Sequence, residues 1–185
     1  MPIDRVAVFS GHMVDAPDPA SPRFPVSKVD AVRRAIAEQL QRLNIKYGFS
    51  SAARGSDLLF VEELVKCSGH ARVFLPFPKD DFARTSVGHG WDAMYYRLLK
   101  DPRVQVTILS ESVPPQKDQS VAYDRCNAEI QRAAISCAQR VDPNPVLLTV
   151  WNGNPGDGRG GTADAVRRWQ QHGYEVVVID ISALH

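Results

Sequence analysis

Short apolar runs alternate with helical segments along the whole 185-residue chain, and this alternation restricts the fold more than any other feature. The runs are rich in Val, Ile, Leu and Phe, which favours strands that are buried on both faces of a sheet. We predict six strands, at residues 5–9, 45–49, 72–76, 104–109, 145–150 and 175–180. Strands that alternate with helices form parallel sheets. The prediction is one domain over residues 1–185, a Rossmann-like three-layer α/β/α sandwich with a mostly parallel sheet of five to six strands.

Helices are predicted where apolar residues recur every three or four positions. One amphipathic helix carries Val29, Val32, Ile36, Leu40 and Leu43. A second, over 58–65, is apolar on most sides, and Ser56 is expected to cap it. A long helix over 120–140 carries the stripe Tyr123, Cys126, Asn127, Ile130, Ala134 and Cys137. The last helix is predicted to begin at Thr162, whereas four prolines in 12–25 exclude regular structure there.

Composition and charge exclude several classes of function. The formal net charge is +1, so nothing indicates a nucleic-acid partner. No apolar run reaches the roughly 18 to 20 residues of a membrane-spanning helix, so we expect no membrane partner. The three cysteines lack CxxC spacing and the five histidines are scattered, so we expect no metal site. Because the cysteines are expected to be free thiols, we predict a reducing, cytoplasmic setting. We also expect no resident cofactor.

A glycine-rich run lies between the fifth strand and the last helix. Five glycines fall within residues 153–161, and Thr162 is expected to cap the helix that follows. A strand, a glycine-rich loop and a helix N-terminus form an anion site, because backbone N–H groups converge there and the helix dipole favours negative charge. We predict that the loop 156–162 binds a phosphate, with Gly156, Gly158, Gly160, Gly161 and Thr162 as contacts. The alternative is a long surface loop whose glycines form turns.

Further candidate ligand residues follow other strands. In parallel sheets, ligands bind outside the carboxyl ends of the strands. Ser10, Gly11 and His12 follow the first strand, where Gly11 lets a ligand approach the backbone. Arg54 follows the second strand and is expected to pair with a phosphate or a ribose, although a surface ion pair explains it equally well. The amide of Asn127 lies in an apolar stripe, where it either bonds to neighbouring backbone or points to a ligand.

Two of these segments resemble known signatures. Ser51-Ala-Ala-Arg-Gly-Ser-Asp57 resembles the GGARGAD-type signature of the SLOG superfamily of Rossmann-like nucleotide binders. Gly160-Gly-Thr162 resembles part of the PGGxGTxxE signature of related phosphoribohydrolases, once labelled lysine decarboxylases. The resemblance implies a nucleotide or nucleotide-sugar ligand, ADP-ribose-like in related sensor domains. It also implies that Gly55 and Asp57 form one wall of the site and that Gly160, Gly161 and Thr162 hold a phosphate.

One departure from the second signature bears on catalysis. Those enzymes have a glutamate three residues after the threonine, and Ala165 occupies that position. Asp164 is one residue short, and on a helix it points about 100° away. The substitution favours a nucleotide-binding or sensing module over a hydrolase, and we assign no catalytic residue. A hydrolase or transferase acting on an N-glycosidic bond would need another carboxylate, for which the candidates are Asp80, Asp124 and Glu129.

Two further interpretations stay open. Gly156, Gly158 and Gly161 also satisfy the GxGxxG pattern of dinucleotide-binding oxidoreductases, with Asp180 about 20 residues on. The glycines do not follow the strand in a tight turn, which argues against that interpretation.

The segment 77–82 is predicted to be a loop, and 85–100 to be partly helical. Its aromatic side chains could stack a base, pack in the core or form the face of a homodimer; they are Trp91, Tyr95 and Tyr96.

Overall fold

Six parallel strands form one sheet in the computed structural model, which describes residues 4–141, 143–155 and 160–185. The strands are β1 (Arg5–Gly11), β2 (Ile45–Ser50), β3 (His70–Leu75), β4 (Val104–Ile108), β5 (Val146–Trp151) and β6 (Glu175–Asp180). Their order across the sheet is β4-β3-β2-β1-β5-β6. The predicted Rossmann-like α/β sandwich with a parallel sheet is therefore confirmed, and the sheet has six strands.

Helices lie on both faces of this sheet. They are α1 (Val29–Arg42), α2 (Ser56–Lys66), α3 (Lys79–Ser86), α4 (Asp92–Leu99), α5 (Gln119–Val141) and α6 (Thr162–Gln171). The first four pack into one apolar cluster with Ala7 and Phe9 of β1. Helices α5 and α6 pack into a second cluster with Val6 and Val8. Successive side chains of a strand point to opposite faces, so β1 is buried on both sides, as its apolar sequence predicts.

The segment after β3 differs from its prediction. Residues 77–82 were expected to form a loop, but helix α3 begins at Lys79, directly after Pro78. Asp80 and Asp81 occupy its first turn, where acidic side chains complement the helix dipole. Phe82, in the same helix, is buried. Proline is common just before a helix because its fixed φ suits that position.

The order of the strands reverses beside β1. From β1 to β4, each strand is added on the same side of its predecessor, and α5 then returns the chain to the opposite side of β1. The loops after β1 and β5 therefore diverge at the carboxyl edge of the sheet. A parallel α/β sheet forms its ligand crevice at this switch point.

The proline-containing segment 12–25 lacks regular structure, as predicted, but it is held in place. The carboxylate of Asp15 accepts hydrogen bonds from the backbone amides of Arg23 and Phe24. Met13 forms an isolated antiparallel bridge with Gly55. The segment is thereby attached to the start of α2. Among the described residues, no helix combines the length and hydropathy that crossing a bilayer requires.

Candidate functional site

A cavity of about 320 Å³ lies at the carboxyl edge of the sheet, next to the switch point. Five segments line it: the residues after β1, the start of α2, the end of α3, the first half of α5 and the start of α6. Ser10, Gly11, Asp57 and Asn127 are among the lining residues, as are Gly160, Gly161 and Thr162. Residues that the sequence singled out in four separate segments thus meet at one cavity.

The first turn of α2 differs from its prediction. Ser56 is the first helical residue and not the cap, because the N-cap position is taken by Gly55. The hydroxyl of Ser56 donates to the carbonyl oxygen of His12 at 2.7 Å. Gly55 has φ +96°, and a Cβ there would collide with the backbone nitrogen of Val14. A Cβ on Gly11 would collide with the hydroxyl of Ser56, so Gly11 lets β1 approach α2 closely, and Gly55 does the same for the segment after β1.

Asp57 is a buried acidic residue that lines the cavity. Its side chain is buried, with 8% of the residue exposed, and it accepts hydrogen bonds from the backbone amides of Ala53 and Gly11. Within the described ranges, its Oδ1 atom has no hydrogen-bond partner. Burial raises the pKa of the carboxyl group from 3.8 to about 7, although the two amides act in the opposite direction. Near neutral pH, both the protonated and the ionised forms are therefore populated.

The start of α6 forms the opposite wall. The helix begins at Thr162, as predicted, but the N-cap residue is Gly161, which has no side chain to cap the helix. Thr162 is therefore not the cap; it is the first helical residue, and it is buried with 4% exposure. Asp164 accepts a hydrogen bond from the amide of Gly160 at 3.2 Å and pairs with Arg167, so this acid supports the first turn.

Helix α5 contacts this wall directly. The side-chain amide of Asn127 donates to the carbonyl oxygen of Gly160 at 2.7 Å, so the amide does bond to backbone, as one alternative predicted. Asn127 also lines the cavity, so contact with a ligand stays a prediction. One turn further along α5, the buried Gln131 donates to the carbonyl oxygen of Ala165 at 2.8 Å. These two amides attach α5 to the start of α6.

A group of hydroxyls at the cavity was not predicted from the sequence. The hydroxyl of Tyr123 lies 2.8 Å from that of Ser86 and 3.4 Å from that of Thr85. All three residues line the cavity, together with Phe82. The sequence placed Tyr123 on the apolar stripe of α5 but gave no signal that the end of α3 would meet it. Cys126 is close by, but burial raises the pKa of its thiol to about 12, which excludes a thiolate nucleophile at neutral pH.

Three predicted ligand residues are not among those that line the cavity: His12, Arg54 and Gly55. His12 is 2% exposed, and its Nε2 atom lies 3.1 Å from Oδ1 of Asn152, in the loop after β5. Burial lowers the pKa of His12. The guanidinium group of Arg54 donates to the carbonyl oxygens of Val14 and Val87, at 3.0 and 3.3 Å. These bonds join the loop before α2 to neighbouring loops. The ligand contacts of His12 and Arg54 stay predictions. Gly156 and Gly158 lie outside the described residues.

The other candidate carboxylates are not among the residues that line the cavity. Asp80 accepts a hydrogen bond from the hydroxyl of Tyr96, Asp124 pairs with Arg168, and Glu129 pairs with Arg132. The side chain of Asp180 accepts a hydrogen bond from the amide of Ser182. Tyr95 belongs to the core, with 0% exposure. In the part of the chain that the structure describes, no group of three or more His, Cys, Asp or Glu side chains could hold a metal ion.

Comparisons with known proteins add a distant similarity in fold. No family model and no curated protein matches the chain. Among solved structures, the chain is similar to the X-ray structure of DNA processing protein A (DprA) from Streptococcus pneumoniae, with 14% sequence identity and a TM-score of 0.47. The match covers 98% of this chain and 62% of that one, so the chain spans less than two thirds of that protein's length. A similarity of this size carries no argument about ligand or activity.

Proposed function

We propose that the cavity binds a nucleotide or a nucleotide-sugar of the ADP-ribose type, and that the protein is a binding or sensing module. The observation that carries this proposal is the start of α6, which lines the cavity and whose N-cap residue, Gly161, has no side chain. The first amide groups of a helix have no partner within the helix. Because the N-cap is Gly161, these amides and the helix dipole are available to a phosphate group.

The shape and chemistry of the cavity support this ligand class. A volume of about 320 Å³ lies at the lower end of the range for small-molecule sites, about 300–1,000 Å³. The aromatic side chains of Phe82 and Tyr123 offer apolar surface for a base or a ribose. Arg23 also lines the cavity and adds positive charge for an anion. The resemblance to SLOG signatures points to the same class of ligand.

Asp57 favours a second candidate function, hydrolysis or transfer at the N-glycosidic bond of such a ligand. A carboxyl group with a pKa of about 7 is suited to general acid catalysis at neutral pH. Its proton would pass to the leaving nitrogen as the C1′–N bond breaks, while the oxygen of a water molecule bonds to C1′ and the water gives up a proton to the Asp57 carboxylate. Ala165 occupies the signature glutamate position and is buried, so this chemistry would depend on Asp57.

A thermal-shift screen against AMP, ADP, cyclic nucleotides, ADP-ribose and NAD tests the proposal. A ligand that binds only the folded state at a hundredfold excess over Kd adds about 2.7 kcal/mol of stability, which raises the melting temperature measurably. We expect at least one of these ligands to do so. Free base released from ADP-ribose or NAD, followed by chromatography, would distinguish the hydrolase from the binding module. No thermal shift with any of them would contradict nucleotide binding.

A further inference from the structure

A second cavity, of about 360 Å³, lies on the face of the sheet that α5 partly covers. Helix α5 packs against β1, β2 and β3, and the cavity lies at the end of this helix, towards β4. Three side chains in register across the sheet form its floor: Phe49 of β2, Arg72 of β3 and Gln105 of β4. The early residues of β3 and β4 line it, so it lies away from the carboxyl ends that form the first cavity.

The charge of this second cavity is strongly one-sided. Arg72, Arg103 and Arg140 line it, and none of the described residues that line it is acidic. The chain as a whole carries 22 basic and 21 acidic residues, so this local excess is not a property of the whole surface. Arg103 pairs with Asp101 at 3.0 Å and donates to the carbonyl oxygen of Val65 at 2.7 Å. Its charge is therefore partly balanced and its position is fixed.

The guanidinium group of Arg72 lies between two aromatic rings. Its Cζ atom lies 5.7 Å from the ring centre of Phe49 and 5.5 Å from that of Phe74. Contact with aromatic rings partly balances a desolvated cation. Its Nε atom is buried without a hydrogen-bond partner, and within the described ranges its side chain forms no ion pair. A buried donor without a partner costs free energy, and an anion in the cavity would give the exposed part of the same half-buried side chain a partner.

Arg140 supplies a second cation at this cavity. It is exposed in the last turn of α5 and forms no ion pair with any described residue. A basic residue at a helix C-terminus also interacts with the helix dipole, but that interaction leaves the donors of its guanidinium group available. Two such groups can bind the oxygens of a phosphate, and the amide of Gln105 offers a third donor.

We propose that this cavity is a second binding site, specific for a small multivalent oxyanion such as the phosphate or pyrophosphate group of a metabolite. The arginines supply the charge and the directed donors that such an anion requires. The concave shape and the limited volume favour a small anion over a nucleic acid, which needs an extended basic surface. The site is separate from the nucleotide cavity and does not depend on the function proposed there.

Titration of the ¹⁵N-labelled protein with pyrophosphate, followed by NMR, tests this site directly. We expect the backbone amide signals of Arg72, Arg103 and Gln105 to shift with saturation. Arg140→Gln and Arg72→Gln should each weaken binding at these signals at least about tenfold, because each removes charge-assisted hydrogen bonds. The matched control is Arg132→Gln, which removes an arginine paired with Glu129 on the same helix. It should leave the affinity unchanged.

Several results would overturn the proposal. One is the absence of saturable shifts at the three amides in the wild-type protein. Another is an equal loss of affinity in Arg132→Gln, which would indicate a general charge effect. Tighter, arginine-dependent binding of an oligothymidylate than of pyrophosphate would assign the surface to nucleic acid. If Arg72→Gln does not fold, Arg140→Gln decides alone. The NMR signals of the Gly160 and Thr162 amides report on the first cavity. Loss of binding at one cavity can therefore be distinguished from loss of binding at the other.

Discussion

The side-chain amide of Asn127 donates a hydrogen bond to the carbonyl oxygen of Gly160 at 2.7 Å, which connects α5 to the residues that open α6. The amide of Gly160 donates to Asp164, so both backbone polar groups of this glycine have partners. Gly160 has φ +82°, and a Cβ there would lie 3.0 Å from the backbone nitrogen of Asp124. The phosphate wall of the proposed site is therefore held in position before a ligand arrives, which lowers the entropic cost of binding.

Replacement of Asn127 by alanine should loosen this wall. We expect Asn127→Ala to lower stability by about 1 kcal/mol, the typical contribution of one hydrogen bond, and to weaken nucleotide binding. Thermal denaturation and calorimetric titration measure the two effects. The control is Gln139→Ala, an exposed amide on the same helix, which should change neither. Unchanged binding by Asn127→Ala would show that the hydrogen bond to Gly160 does not organise the site.

The hydroxyl of Thr162 is predicted to contact the phosphate. Thr162→Val keeps the shape of the buried side chain and removes the hydroxyl, so we expect binding to weaken by about 1 kcal/mol, or roughly fivefold. Thr107→Val is the matched control, because it makes the same change on β4, away from the cavity. Competition binding with a fluorescent nucleotide gives both affinities. Equal affinities for the two variants would remove Thr162 from the site.

Asp57 should make stability depend on pH. Its pKa is 3.8 when unfolded and about 7 when folded, so between these values the folded state binds the proton and the unfolded state does not. The contribution of Asp57 is then most favourable below about pH 4, falls as the pH rises to about 7 and is constant above that. Asp57→Asn removes this loss. The free energy of unfolding of the variant, relative to that of the wild type, should therefore increase across the same pH range, by at most roughly 4 kcal/mol.

Urea denaturation at several pH values measures that gain. Asp80→Asn is the control, since Asp80 does not line the cavity and bonds to Tyr96 instead. A difference between Asp57→Asn and the wild type that stays constant from pH 4 to pH 8 would contradict a raised pKa. If the protein is a hydrolase, Asp57→Asn should also abolish release of the base while leaving nucleotide binding intact.

Gly55 is expected to be structural, although it lies within the segment that resembles a nucleotide-binding signature. Gly55→Ala must adopt φ +96° and also collides with Val14, whereas Gly153→Ala must adopt φ +81° with no atom of the described residues within 4 Å. Gly153→Ala should therefore cost about 1 kcal/mol from backbone strain alone. Gly55→Ala should cost clearly more. Denaturation curves of the two variants measure the difference, and equal losses would show that contact with Val14 is unimportant.

Local patterns were sufficient to predict the sheet, because each strand is an apolar run and each long helix has a clear period. Helix α3 was not predicted, because its buried face is short and because it follows a proline. The raised pKa of Asp57 could not be predicted either, since it depends on burial by distant segments. The contact between Tyr123 and Ser86 is equally non-local. Sequence could thus identify the edge of the sheet where the cavity lies, but not all of the side chains that line it.

Calorimetric titration of the wild type and Gly161→Val with ADP-ribose tests the central claim most directly. Gly161 has φ −83° and ψ −178°, an extended conformation that valine adopts readily, so the variant should fold. Its side chain would occupy the space in front of the first amides of α6. We predict saturable binding by the wild type and a loss of at least about a hundredfold, or roughly 2.7 kcal/mol, in the variant. Saturable binding of equal affinity by both proteins would contradict a phosphate site at the start of α6.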